Sequence, residues 1–444
     1  MPANCPVRDH GRRLLSSLVT VNGGALASSE AVCSGRMLTQ RFLSLLVAVF
    51  ALSACGKSET PIFHGPAFGA DPAPPGPLNG LFVTTDNGSD LLSVVDPATK
   101  QVRFSIPVGF IPVELEGPHH LAADPSGRFV YINLSEAVAG SGTGPHGSHG
   151  TGTIPGFVLK LSAKDGTQVA FAQVDPNPGD LTISPDGKTI YVTHYDLLKL
   201  GKMTPANPRL GDSNLVVIDA ASMNVTKRVP LCPAAHGVRL TPDGKTLYTT
   251  CGADEIAIVD LADPLLTPTR KVLPGLTERP NCFRCPYALT IAPDATVWVS
   301  SLGPGAGLGG GNGGLDVYDP ALGNFDQSRA ANYLRGRGLF AAFQGTAASY
   351  LAYVPEQNPA GDKVHVYSTV AGQPPAEGPP IALDRASCLN AHMLALSPDG
   401  NTGYLVCEGD HVGPGSFTFL DLRTPAIISS TPLGIFPDGL VLVP

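Results

Sequence analysis

From residue 79 to the C-terminus, apolar and polar positions alternate in short runs, the period-two pattern of half-buried β-strands, and Pro, Gly, Asp and Asn punctuate them. No long segment beyond the N-terminus keeps the spacing of an amphipathic helix, and 51 Gly and 43 Pro suit turns and strands rather than helices. One phrase recurs: apolar, any, apolar, any, a Pro-Asp-Gly-type turn, then an aromatic or apolar pair. It stands in "LAADPSGRFVYI" (from 121), "LTISPDGKTIYV" (181), "VRLTPDGKTLYT" (238), "LTIAPDATVWVS" (289) and "LALSPDGNTGYL" (394). Each copy spells a β-hairpin, because Pro fixes φ, Asp closes an Asx-type turn and Gly tolerates positive φ. A second strand pair follows each hairpin, as in "IAIVDLADP" and "LDVYDPALGNF". Four strands in about 50 residues is the signature of a propeller blade.

Seven such units fit the chain. The first lacks its innermost strand, and the final "FPDGLVLVP" reads as an innermost strand with nothing after it. The expected fold is therefore all-β: a seven-bladed β-propeller of four-stranded antiparallel blades, closed by the C-terminal strand pairing into blade one, which leaves no open edge. Blade six, "GLFAAFQGTAASYLAYVPEQNPAGDKVHVYS", is the least regular. The segments "FVTT" at 82, "YVTH" at 191 and "YTTC" at 248, with "VVDPAT" and "VIDAAS", resemble the YVTN family of β-propeller repeats. That resemblance covers residues 79–444 and implies the fold; propellers host many activities, so it leaves function open. Family members often carry Asn where His194, Cys251 and Cys407 stand, which implies that this part of the surface is specialised or rigidified.

Ahead of the repeats, "FLSLLVAVFALSAC" (42–55) follows Arg41 and is too short to anchor across a bilayer. It has the layout of a signal peptide, and its end resembles a bacterial lipobox in which Cys55 is lipidated and begins the mature chain. A plain secretory signal cut nearby is the alternative. Met37 is the candidate start, with residues 1–36 upstream of it. The expected organisation is a signal region at 1–54, the lipidated Cys55 and a Pro/Gly-rich tether over 55–79, and the propeller at 80–444. This predicts an exported, cell-envelope protein touching the membrane only through its N-terminal lipid. Five of the 29 basic residues and two of the 37 acidic ones fall in the first 54, leaving 24 against 35, a net of −11. Such a charge, without a Lys/Arg cluster, argues against nucleic acid as a partner.

Aligning the blades on their Pro-Asp-Gly turns shows which residues share one face. Six residues before the turn Pro stand His119, Gly179, His236, Tyr287 and His392; blade six offers Arg337, and the closing strand Asp438. The long loops between second and third strands reach the same face and bring His146, His149 and His411, while His120 and His194 lie beside it. Eight of the ten histidines after residue 55 thus gather on one side, away from His64 and His365. Insertions crowded on one face of a repeat fold mark its binding face.

Two readings of this face stay open. In one, His119, His236 and His392, with Asp438, hold a transition metal (copper, zinc or iron), and Tyr287, Arg337, His194 and His120 contact a ligand. In the other, the histidines line a polar, water-filled channel. The pattern Cys-x-x-x-His occurs twice, in "CPAAHGVRLTPDGKTLYTTC" (232–251) and "CLNAHMLALSPDGNTGYLVC" (388–407). In an exported chain its default is disulfides, Cys232–Cys251 and Cys388–Cys407, with Cys282–Cys285 as a third; the hairpin register sets Cys251 across from His236 and Cys407 across from His392. Thiolate–imidazole metal ligation is the rival, and a redox Cys-x-x-Cys a third reading. No nucleophile elbow, phosphate loop or haem-attachment motif occurs. The function expected is a lipid-anchored envelope propeller that binds a small molecule or an envelope protein through its histidine-bearing face. The alternative is a metal-dependent enzyme at the channel mouth: an oxidoreductase, as the architectural resemblance to the propeller domain of nitrous oxide reductase permits, or a hydrolase like the propeller lactonases.

Overall fold

Among the described residues thirty short strands run from Phe82 to Leu442, and the longest helix there is a single turn, Leu197–Leu200. The computed structural model describes residues 76–110, 115–136, 149–276, 283–303, 313–329, 336–371 and 373–444. Cys55, His64, the tether before residue 76, His146 and Cys282 lie outside the described residues. So does the pairing expected between Cys282 and Cys285. Among the described residues no helix is long and apolar enough to cross a membrane.

The strands form seven antiparallel sheets, each with consecutive strands paired from channel to rim. Blade two, for example, runs Pro118–Ala123, Phe129–Leu134, Phe157–Ser162 and Gln168–Gln173. Blade one is the exception in chain order: Pro437–Leu442 supplies its innermost strand and pairs with Phe82–Asp86. The missing first strand and the surplus last one therefore complete each other, as the sequence predicted. In blade six the inner strand is interrupted into Arg337–Gly338 and Ala342–Thr346, and the outer one into Ala376–Glu377 and Ile381–Ala382. That irregularity was visible in its pattern.

Alternation of apolar residues gives each sheet two apolar faces, and neighbouring blades bury them against one another. One cluster fills each blade interface: Val83, Leu92 and Val130 between blades one and two, Trp298, Val317 and Tyr350 between five and six, Val406, Phe417 and Phe82 between seven and one. An eighth cluster lies across the channel mouth, where Tyr195, Leu200 and Met203 of a long loop meet Tyr287, Leu339 and Phe340.

In six blades the pairing of the innermost strand with the second slips at one place. In blade four Ala235 faces Cys251 and the next pair is Val238 with Thr249, so His236 and Gly237 form a bulge. The same slip brackets His119–His120, Gly179–Asp180, Tyr287, His392–Met393 and Asp438–Gly439. A bulge re-aims a side chain out of the pleat, and here it turns the ring residues inward. It also corrects the expected register by one residue. Cys251 stands opposite Ala235 rather than His236, and Cys407 opposite Ala391 rather than His392.

Both outer pairs are disulfides: Cys232–Cys251 and Cys388–Cys407, with Cα atoms 5.8 and 5.3 Å apart. The first ties the end of blade three's outermost strand, Val225–Pro233, and the second the loop before blade seven's inner strand, to the end of a second strand. With their thiols joined they are not metal ligands, and they point to an oxidising, exported location. Closing a loop of this length is worth about 3 kcal/mol in the unfolded chain. The double substitution Cys388→Ser, Cys407→Ser should lower unfolding free energy by about that much, read from the shift of the denaturant midpoint under non-reducing conditions.

Candidate metal centre

The bulges deliver His119, His120, His236 and His392 to one place, each no more than 1% exposed. His119 and His120 rings lie 4.3 Å apart, His119 and His236 5.3 Å, His120 and His236 5.2 Å, and His120 and His392 5.7 Å. The imidazoles expected on one rim therefore converge at the centre of the mouth. They are buried rather than open because the long loops fold over them: His149 stacks on His119 at 4.4 Å, and Tyr195 meets His236 edge-on at 5.2 Å.

Backbone hooks fix the ring. The hydroxyl of Thr85 reaches the carbonyl of His119 in the next blade at 2.5 Å, Thr193 that of His236 at 2.5 Å, and Thr250 that of Tyr287 at 2.8 Å. Each of these threonines stands in a second strand opposite the bulge of the inner strand, so one structural position performs the same service in three blades. Gly179, the ring position of blade three, keeps no side chain because a Cβ there would sit 3.2 Å from the His236 ring and 3.0 Å from the Ala235 carbonyl.

The Nδ1 atoms are each directed at a protein oxygen. His119 Nδ1 is 2.6 Å from Asp438 Oδ2, and His236 Nδ1 is 3.1 Å from the Tyr287 carbonyl. His120 Nδ1 faces Asp180 at 3.5 Å, and Asp180 is held in turn by Arg239 at 2.6 Å. A backbone carbonyl only accepts, so His236 carries its proton on Nδ1, and the carboxylate asks the same of His119. Both Nε2 atoms then present lone pairs, and they are 3.1 Å apart. Two lone pairs so placed repel unless a cation lies between them. Tetrahedral imidazole ligands at ~2.0–2.1 Å from an ion sit about 3.3 Å from each other, so the observed separation suits a shared metal. His120 Nε2, buried and without a hydrogen-bond partner, is available as a third ligand atom. One ligand atom from each of His119, His120 and His236 falls within 4.8 Å of the others, and His119, His149 and Asp438 form a second such group.

Electrostatics agree with a neutral His120. Burial, reinforced by the neighbouring His119, His236 and His392, pushes the His120 pKa well below its ordinary value. Burial raises the Asp438 carboxyl, against the opposing pull of His119. Tyr287 lies flat on His236 at 3.6 Å, and burial pushes its phenol well above the usual range.

The expected set is only partly assembled. His119 and His236 meet as foreseen and Asp438 joins through His119, but His120 rather than His392 completes the three-nitrogen group. His392 stands at the edge of the cluster, with Nδ1 3.7 Å from Glu408 Oε1, and Glu408 binds His411 at 2.8 Å on its other oxygen. His194 lies apart, bonded at 2.8 Å to the Asn214 carbonyl, and burial lowers its pKa to about 4. Arg337 is not in the ring; Phe340 takes blade six's place, 5.2 Å from His120 and 6.1 Å from His392. Alignment on the hairpin turn missed Phe340, because blade six has no Pro-Asp-Gly turn; it missed Asp180, one residue beyond the aligned Gly179, and Glu408, which follows the end of a second strand, Thr402–Cys407.

Fold and site together define an exported seven-bladed β-propeller with a buried histidine centre in its channel mouth. No protein-family model matches the chain, and no curated protein does. Several solved structures share the fold. A functionally unknown protein from Desulfotomaculum acetoxidans aligns with TM-score 0.58 at 12% identity, over 82% of this chain and 98% of its own. A putative 6-phosphogluconolactonase from Bacteroides fragilis gives 0.54 at 15%, over 85% and 99%. Kuenenia stuttgartiensis hydrazine synthase gives 0.53 at 17%, over 73% and 89%. At these identities the likeness establishes the propeller and nothing of its chemistry.

Beside the centre, burial raises the Asp86 carboxyl to about 7, opposed by its 2.5 Å bond from Ser93. The folded chain thus holds a proton that the unfolded chain releases above an ordinary carboxyl pKa of 3.8. The resulting stability is complete at low pH and falls as pH rises through the window from about 4 to about 7. Asp86→Asn should flatten this fall, as measured by urea unfolding at pH 5 and pH 7.

Proposed function

We propose that this chain is a lipid-anchored β-propeller of the cell envelope that binds a transition-metal ion at its channel mouth, and a small molecule or envelope protein through the loops around it. One observation carries the metal: the two imidazole nitrogens at 3.1 Å whose other nitrogens already serve protein acceptors. His119, His120 and His236 are the ligands, and Asp438 orients His119 from behind, as outer carboxylates do for metal-binding histidines. His149 and Asp438 are the remaining oxygen and nitrogen groups within reach of His119. Imidazole ligands suit copper, zinc or iron.

The enzymatic alternative, a metal-dependent oxidoreductase or lactone hydrolase, is favoured by the ligand count. Three protein ligands leave a coordination position open, as in catalytic rather than structural zinc sites. An ion there would supply Lewis acidity or a redox couple; the chain's own part is to direct its imidazoles inward, to exclude water with Tyr195, His149 and Phe340, and to place the hydrogen-bonded pair His411 and Glu408 beside His392.

Untagged protein should copurify with, or take up, about one equivalent of copper, zinc or iron, measured by elemental analysis. His236→Ala should lose it, while the distant His194→Ala retains it. Absence of metal from both wild type and reconstituted protein would leave a proton as the cation between the two nitrogens and sink the metal reading. Separately, metabolic labelling with a radioactive fatty acid should mark the wild type and fail to mark Cys55→Ser.

A further inference from the structure

Between blades six and seven, beside the histidine centre, lies a cleft of about 340 Å³ whose walls include Gln357, Asn358, Asn390, Arg337 and Arg385. Arg337 is half-buried and Arg385 exposed. Neither guanidinium forms an ion pair or hydrogen bond among the described residues. The two acids in the wall, by contrast, are engaged. Asp362 accepts from the backbone N–H groups of Asn358 at 2.7 Å, Asn390 at 2.5 Å and Ala391 at 3.2 Å. Asp410 accepts from those of Val412 and Gly413 at 3.0 and 2.7 Å. The formal charges in the wall balance, two against two; what the cleft offers is guanidinium N–H groups without an acceptor among the described residues, beside carboxylates whose oxygens already accept from the backbone.

The cleft communicates with the histidines along two lines. Gln357 donates to Glu408 Oε1 at 2.6 Å, and that same oxygen lies 3.7 Å from His392. On the other wall Arg337 is within electrostatic reach of Tyr195, whose ring meets His236. A ligand seated on the arginines would thus be linked to His392, at the edge of the cluster, through Gln357 and Glu408, and to His236 through Arg337 and Tyr195.

We propose that this cleft binds a small organic carboxylate, gripped by Arg337 and Arg385, as the ligand pocket that serves the channel-mouth centre. Guanidinium forks match planar carboxylates in pairs of parallel hydrogen bonds, whereas Asn358 and Asn390 hydrogen-bond the protein itself, at Ala360 and Glu356 and at the Gly409 carbonyl. The assignment of the cleft to that centre rests on the metal reading; the cleft's selectivity for carboxylates does not.

The test uses metal-stripped protein first, with malonate and inorganic phosphate as probes in calorimetric titrations. Malonate should bind, Arg337→Ala and Arg385→Ala should each weaken it at least tenfold, and Arg423→Ala, an exposed arginine elsewhere, should leave it unchanged. No malonate binding by the wild type, binding indifferent to both arginines, or preference for phosphate over malonate would each overturn the carboxylate pocket. Thermal melts of every variant separate loss of the site from loss of fold. Repetition with copper- or zinc-loaded protein then tests the link: malonate affinity should rise several-fold with the ion bound, and not in His236→Ala. Arginine-dependent binding in a protein that takes up no metal overturns the metal centre and leaves the pocket, whereas metal uptake without malonate binding overturns the pocket alone.

Discussion

Pairing of Pro437–Leu442 with Phe82–Asp86 is the contact from which the site follows. Until the last strand is in place the ring has an open edge, and the innermost strand of blade one does not exist. The same strand carries Asp438, which reaches His119 across a sequence separation of 319 residues. Closure of the fold and assembly of the centre are therefore one event. A local helix or hairpin could not bring these groups together, since His119, His236 and Asp438 come from three different blades. Contacts of such separation cost loop-closure entropy that is recovered only once the ring is shut.

Given closure, the bulges decide what the channel contains. A regular innermost strand would alternate its side chains between the two blade interfaces, where apolar clusters fill the space. The slip at each ring position spends two residues against one and turns a polar side chain toward the axis. Consecutive residues such as His119 and His120 can then both contribute to the centre, which an unbroken strand forbids. Threonines at the ends of the second strands fix the carbonyls at these bulges, so that the imidazoles stand on a rigid frame.

Much of this was legible in the sequence, for a physical reason: a repeat prints each constraint several times. Turn chemistry repeated five times gave the blades, and the two incomplete ends gave their closure. Cysteine spacing gave two disulfides at the right positions, one residue out of register because a bulge leaves no mark in a period-two pattern. The alignment found His119, His236 and Asp438. It overweighted His392, and placed Arg337 in the ring because blade six lacks the turn on which the others align. Asp180 was missed because nothing in a single sequence tells which neighbour of a ring position faces inward, Glu408 because it follows a second strand outside the aligned positions, and Phe340 for want of the turn.

The burial of the imidazoles also constrains what the centre is for. Hidden from water, the imidazoles direct their Nδ1 atoms at Asp438, the Tyr287 carbonyl and Asp180, so what meets their Nε2 atoms comes from the protein or from what it binds rather than from solvent. A water-filled channel would satisfy them without opposing His119 Nε2 to His236 Nε2, and it would not need Tyr195 and His149 packed over the top. In the proposed reading a cation between His119 Nε2 and His236 Nε2 would relieve their opposition, and affinity at the mouth and stability of the ring would then rise together.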